Sequence, residues 1–283
     1  MPKVSVIIPS RNEVFLTPTV KDLLAKAEGD IEILINIDEK RPDEIVEDPR
    51  VTYFYPGTPI GMRAGVNFLA SKAKGEFLMK IDAHCIVDQG FDTKLTNDCD
   101  DNWVVIPRRY RLDPKTWTVK QTTETEPQID YEHLIYPRMY NPVSLHGFRW
   151  DERTKTRKDI LIDDNMTFQG SLWFMKKTWF EKNGFEQVDG YQGLPQQEAE
   201  EIGITTWTRG GRVVVNKKTW YAHLHKGGEF GRGYPLSQRQ FRDCYAYSYN
   251  HWVIENKEGF IKLIEKFWPI PGWNPDWKEK LYK

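Results

Sequence analysis

The chain has 283 residues, 39% apolar and 13% aromatic, which is enough to bury one large core and excludes a disordered chain. Forty Lys and Arg against 41 Asp and Glu leave a formal charge of −1, so no global basic field points to nucleic acid or an anionic membrane as partner. No run approaches the ~20 apolar residues of a membrane span, and Met1-Pro2-Lys3 enters a strand directly rather than a signal peptide. Three widely spaced cysteines, Cys85, Cys99 and Cys244, form no CxxC pair. A soluble, cytoplasmic protein with reduced thiols is expected.

Val4 to Ile8 is a β-branched run ended by Pro9. Thr17 as N-cap and Pro18 at the first helical position then open a helix. Ile31 to Ile37 is a second strand ending at Asp38, and Val51 to Tyr55 a third, before Pro56-Gly57. A helix from about Met62 to Ala73 leads to a fourth strand, Phe77 to Ile81. This alternation predicts an α/β fold with a doubly wound, mostly parallel sheet, whose ligands bind at the carboxyl ends of the strands. No GxGxxG follows the first strand, so the dinucleotide fingerprint is absent. Trp103 to Pro107 is another buried strand. From Arg108 to about Asp164 the chain is irregular and predicts loops with a small antiparallel addition. Gln169 to Met175 restores regularity, followed by a helix near Lys177 to Asn183 stopped by Gly184, and a second near Gln197 to Arg209 ended by Gly210-Gly211. Arg212 to Val215 and Trp220 to His225 read as two extended runs. The glycines between residues 225 and 234 suggest a mobile loop, and the aromatic tail contains a helix from Lys257 to Phe267.

Four constellations carry chemistry. Pro9-Ser10-Arg11-Asn12-Glu13 and Asp38, at adjacent strand ends, surround a crevice that suits a base and ribose, with the Asp38 carboxylate accepting from a base N–H. Gly61 before a helix with Arg63 in its first turn suits a phosphate. Asp82 and His84, spaced i, i+2, point to one side of an extended backbone and form half a metal site, which His223 or His225 would complete. Glu198, Glu200 and Glu201 at a helix start offer a carboxylate as general base or positioning group. The basic, aromatic stretches Pro107 to Arg111 and Arg149 to Lys158 could hold a phosphate backbone or lie as solvated loops.

Together these blocks resemble the family-2 glycosyltransferases of the GT-A fold, over roughly residues 3 to 226. Val4 to Glu13 is similar to their opening segment. Asp82-Ala83-His84 resembles the Asp-x-His form of the metal motif in polypeptide N-acetylgalactosaminyltransferases. Gln169 to Met175, Glu198 to Gly210 and Ala222-His223 are similar to later blocks of those enzymes. The resemblance implies a GT-A domain over 1–235, with a nucleotide-sugar half (1–106) and an acceptor-side half (107–235), and an extension (236–283) packed on it. It implies Mn2+ (or Mg2+) held by Asp82, His84 and His223, in preference to His225. A nucleotide sugar, UDP-linked in that family's manner, would be bound by Pro9, Ser10, Arg11, Glu13, Asp38, Arg63 and Asp82, and the loop 226–234 would close over it. Glu198 and Glu201 are the catalytic candidates, because Ala199 stands where many inverting members carry an aspartate base; a retaining reaction would need none. The lectin module and disulfide cysteines of secretory members are missing. The compact layout also resembles bacteriophage-encoded members, which implies hydroxymethylated pyrimidine in DNA as acceptor, against a surface polysaccharide or a protein hydroxyl. A two-His, one-Asp hydrolase and a non-catalytic binding protein are the alternatives from other classes.

Overall fold

A computed structural model describes residues 2–139, 141, 143–226, 230–231 and 237–282. In chain order the strands are β1 Val4–Arg11, β2 Ile31–Asp38, β3 Val51–Phe54, β4 Phe77–Ile81, β5 Cys85–Val87, β6 Trp103–Asp113, β7 Thr118–Val119, β8 Glu132–Leu134, β9 Gly147–Arg149, β10 Ile162–Asp164, β11 Leu172–Lys176 and β12 Arg212–His223. The helices are α1 Leu16–Lys26, α2 Met62–Lys72, α3 Phe91–Asn97, α4 Asp151–Thr156, α5 Lys177–Asn183, α6 Glu198–Thr208, α7 Gln238–Tyr249, α8 Lys257–Phe267 and α9 Trp277–Tyr282, with a π-helical turn at Asn250–Glu255 joining α7 to α8.

The main sheet runs β10-β12-β6-β11-β4-β1-β2-β3, with β5 on β12 and β7 on β6, while β8 and β9 form a separate antiparallel pair. Six of the eight strands on that path share one direction; β11 and β10 oppose them. The alternation along β1 and β2 explains the layering. Val4, Val6, Ile8 and Ile31, Ile33, Ile35, Ile37 pack under α1 and α3, whereas Ile7 and Leu34 face α2, α5 and α6. Helices on both faces are what a doubly wound sheet requires to bury both of its surfaces. The tail contributes Trp252, Phe260, Leu263, Phe267, Trp273 and Trp277 to a third cluster against Tyr131, Leu134, Leu145 and Ile204. Full burial of each such side chain contributes about 1.5–3 kcal/mol, which fixes the tail onto the α6 side of the domain.

Several sequence expectations shift. Helix α1 starts at Leu16 with no side-chain cap, and Thr17 Oγ1 instead donates to Glu44 O at 2.5 Å. Pro107 does not end its strand. It lies where the β6–β12 register breaks, between the pairs Asn216–Pro107 and Trp220–Arg108, so its missing N–H falls at a bulge. The run 212–215 and the first part of the run 220–225 are therefore one bulged strand, β12, which ends at His223, and the division at residue 106 falls inside β6. Elements β5, α3 and α7 have no counterpart among the expected elements. Most of the loop 226–234 lies outside the described residues. Among the described residues no helix is long and apolar enough to cross a membrane.

Candidate functional site

Strand β4 delivers Lys80, Asp82 and His84 to the carboxyl edge of the sheet. Asp82 to His84 is a bend between β4 and β5, not the continued strand expected from the i, i+2 spacing. The Asp82 N–H donates to Ser171 O beside β11. Strand β5 then pairs antiparallel with the end of β12, which puts Cys85 opposite His223, and Leu224 N donates to His84 O. This pairing explains why a histidine 139 residues beyond His84 reaches the same point.

Asp82, His84 and His223 each offer one ligand atom within 4.8 Å of the others. His84 Nε2 lies 3.0 Å from His223 Nε2, and Asp82 Oδ2 lies 3.8 Å and 3.4 Å from those two nitrogens. His84 Nδ1 lies 2.9 Å from Glu13 Oε2, a carboxylate that can only accept, so Nδ1 carries the hydrogen and Nε2 presents its lone pair. Burial pushes the His223 imidazolium down to about 3, which keeps that ring neutral, as a ligand must be. Partial burial acts to raise the Asp82 carboxyl, but the Lys80 ammonium and the two imidazoles outweigh it and hold it below the usual carboxylate range. Two imidazole nitrogens and one carboxylate oxygen converging on a point fit a divalent cation. His225 stands outside this set, its ring edge-on to His223 with centroids 4.9 Å apart.

Lys80, absent from the sequence expectations, is 2% exposed and donates to Asp82 Oδ1 (2.8 Å), Gly170 O (2.5 Å) and Glu198 Oε2 (3.2 Å). By occupying Oδ1 it leaves Oδ2 to face the imidazoles. Alternation along β4 was the available signal, since Lys80 shares a face with Asp82 and Leu78. The Glu13 carboxylate, 5% exposed, lines the cleft but is held between His84 and Lys226 Nζ (2.6 Å).

A cleft of about 1230 Å³ opens from these groups, lined on the strand side by Pro9, Ser10, Arg11 and Asp38. Asp38 is 3% exposed and accepts from Ile60 N–H and Gly61 N–H, both at 2.9 Å, while Arg11 pairs with Glu39. Asp38 thereby fixes the loop that enters α2, where Gly61 has φ +82°. On the opposite side the cleft is lined by Glu198, Glu200, His146 and, from α7, Gln240 and Tyr245.

Arg63 and Glu201 do not line the cleft. Arg63 is fully buried, and its guanidinium pairs with Glu201, donates to Leu194 O (2.7 Å) and Gln196 O (3.0 Å), and stacks on Tyr191. Burial works against its charge, but Glu201 and Glu186 outweigh that and leave the pKa raised. Two sequence assignments are corrected here: Arg63 is the anchor of the 194–197 segment and not a phosphate ligand, and Glu201 is its counterion and not a base facing the acceptor. Glu198 does reach the cleft, but Oε2 faces the Lys80 ammonium and Oε1 accepts from Trp173 Nε1 at 3.0 Å. The arginines of the basic stretches pair with carboxylates: Arg108 with Asp130, Arg109 with Glu132, Arg111 with Glu126, Arg149 with Asp151 and Arg157 with Asp163.

Residues 5–184 match the family model described as glycosyl transferase family 2. The chain belongs to that family. As a family-2 glycosyltransferase it is similar to a putative polypeptide N-acetylgalactosaminyltransferase 13 of Drosophila melanogaster, 24% identical over 291 residues that cover 92% of this chain and 50% of that one. Its fold is GT-A, similar to a crystal structure of GalNAc-T7 with UDP, GalNAc and Mn2+, at a TM-score of 0.69 and 18% identity, covering 99% of this chain and 54% of that one. The glycosyltransferase chain thus spans about half the length of both.

Proposed function

We propose that this glycosyltransferase moves a sugar from a UDP-sugar to an acceptor hydroxyl, with a divalent cation held by Asp82, His84 and His223. The observation that carries the reading is the convergence of those three donors at the head of a cleft bounded by the carboxyl ends of β1, β2 and β4. An N,N,O donor set favours Mn2+ over Mg2+. When bound, the cation supplies Lewis-acid stabilisation of the departing diphosphate. The remaining work falls to the chain. Pro9, Ser10 and Arg11, together with the loop that Asp38 fixes, bracket the nucleotide. Glu13 holds His84 in the ligating tautomer, and Lys80 keeps Asp82 and Glu198 oriented at the floor of the cleft.

The UDP and Mn2+ in the GalNAc-T7 structure and the polypeptide acceptor in the name of the Drosophila relative support this donor and a protein or saccharide hydroxyl as acceptor. Hydroxymethylated DNA has less support, because the arginines that would meet its backbone already pair with carboxylates. The test is nucleoside-diphosphate release from a panel of UDP- and GDP-sugars with Mn2+, given no acceptor, Ser/Thr peptides, simple glycans or hydroxymethylated DNA. The expected result is Mn2+-dependent UDP release stimulated by a peptide or glycan that gains one sugar in mass. Release stimulated by DNA alone would overturn the acceptor reading, and no metal-dependent binding or turnover of any donor would overturn the whole.

A further inference from the structure

One pair of titratable groups lies on the acceptor side of the cleft and has no task in holding the donor. His146 sits in the turn before β9, and Glu200 in the first turn of α6; both line the cleft. Glu200 is buried, with a side chain 4% exposed, and its Oε1 accepts from Gly147 N–H at 2.7 Å and lies 3.4 Å from His146 Nδ1. The His146 side chain is 55% exposed. A carboxylate fixed by a backbone N–H therefore faces one ring nitrogen and leaves Nε2, on the far side of the ring, open for a hydroxyl. The other acids lining the cleft are already engaged: Glu198 and Asp82 with Lys80, Glu132 with Arg109, Glu13 with Lys226, and Asp38 with the Ile60 and Gly61 N–H groups.

We propose that His146 is the general base that takes the acceptor proton, with Glu200 as the residue that positions it. The proposal rests on the glycosyl-transfer reading above. In the step, the acceptor O–H proton passes to His146 Nε2 and the acceptor oxygen bonds to the anomeric carbon. The bond from that carbon to the diphosphate oxygen breaks, and its electron pair leaves with the nucleoside diphosphate. A single displacement of this kind inverts the anomeric configuration. Carboxylate, imidazole and hydroxyl in line is an arrangement that recurs wherever a weak oxygen nucleophile must lose its proton in the transition state.

The groups facing His146 set its pH response. Glu200 on α6 raises its pKa, partial burial opposes this, Glu132 on β8 adds to the rise and Arg109 on β6 subtracts from it, for a net upward shift. A base acts when neutral, so the rate should climb with pH through a midpoint above the ordinary value of about 6.5.

Two readouts test this. The first is NMR titration of the His146 imidazole, assigned with His146→Gln, in wild-type protein and in Glu200→Gln, where the amide oxygen still accepts from Gly147 N–H. The midpoint should lie above 6.5 and fall in Glu200→Gln; an unchanged midpoint would overturn the pairing even in a protein with no turnover. The second is hydrolysis of the UDP-sugar panel with Mn2+, water standing in as acceptor. His146→Gln should lower kcat by about 10²- to 10⁴-fold, abolish the acidic limb of the pH profile and leave Mn2+-dependent UDP binding intact. The first-formed free sugar should carry the inverted configuration. A wild-type kcat in His146→Gln, or a retained anomer, would overturn the base assignment. A wild-type protein that binds no UDP with Mn2+ and turns over no donor would overturn the transferase reading instead.

Discussion

Truncating Glu13 isolates the contribution of ligand orientation to metal affinity. In the native protein its carboxylate is 5% exposed and is shared between His84 Nδ1 at 2.9 Å and Lys226 Nζ at 2.6 Å. Glu13→Ala leaves Asp82, His84 and His223 in place, but the His84 ring loses the acceptor that keeps its hydrogen on Nδ1. The alternative tautomer puts a hydrogen on Nε2, against His223 Nε2 only 3.0 Å away, and blocks the ligating position. Loss of such a supporting hydrogen bond lowers metal affinity about 10- to 100-fold, or about 1.4–2.8 kcal/mol at about 1.4 kcal/mol per tenfold. Lys226, with a side chain 18% exposed, also loses its carboxylate, so the chain leaving β12 should loosen. Calorimetric titration with Mn2+ measures the first effect, and hydrogen exchange of the residues around Lys226 the second. Glu13→Gln separates them, since the amide oxygen still accepts from Nδ1–H while the ion pair is gone; it should recover most of the affinity and little of the exchange protection. Wild-type Mn2+ affinity in Glu13→Ala would refute the argument that Glu13 sets the His84 tautomer.

Arg63→Met should destabilise the protein by about 3–5 kcal/mol in chemical denaturation, because Glu201 and the carbonyls of Leu194 and Gln196 lose a buried partner, while Mn2+ affinity stays within about threefold of wild type given that one pH-independent anchor, and no ligand, is removed. Gly75→Ala should cost about 1–3 kcal/mol by overpacking, since its Cβ would come within 2.6 Å of the Ser5 backbone nitrogen between β1 and β4, where neither partner can yield. Removing metal with a chelator should abolish turnover, and added Mn2+ should restore it more fully than Mg2+, measured as UDP release.

The β-strand framework was legible because its members are buried, mainly apolar runs: β1, β2, β4 and β11 lie on the expected runs Val4–Ile8, Ile31–Ile37, Phe77–Ile81 and Gln169–Met175. Helix α8, with Phe260, Leu263, Ile264 and Phe267 on one stripe, was equally plain. Helix α7 was not, since Gln238–Tyr249 buries only Cys244, Tyr245 and Ser248 and so has no apolar stripe to announce it. Spacing pointed to Asp82 and His84, but the reason they meet His223 is the β5–β12 pairing, a long-range contact that no local pattern encodes. The charged residues were the hardest to place. A first-turn arginine such as Arg63 reads as an anion site until its inward rotation onto Glu201, 138 residues away, is seen. The arginines between 108 and 157 read as a nucleic-acid face until their partners Asp130, Glu132, Glu126 and Asp163 are found. In each case burial and pairing, not residue type, decided the role.

The measurement that bears most directly on the account is binding of UDP in the presence and absence of Mn2+, in wild-type protein and in His84→Ala. The account predicts tight UDP binding only with Mn2+ in the wild type, and loss of that Mn2+ dependence in His84→Ala with the fold intact by circular dichroism. Equal UDP affinity with and without Mn2+, or a His84→Ala protein that keeps the full metal dependence, would contradict it.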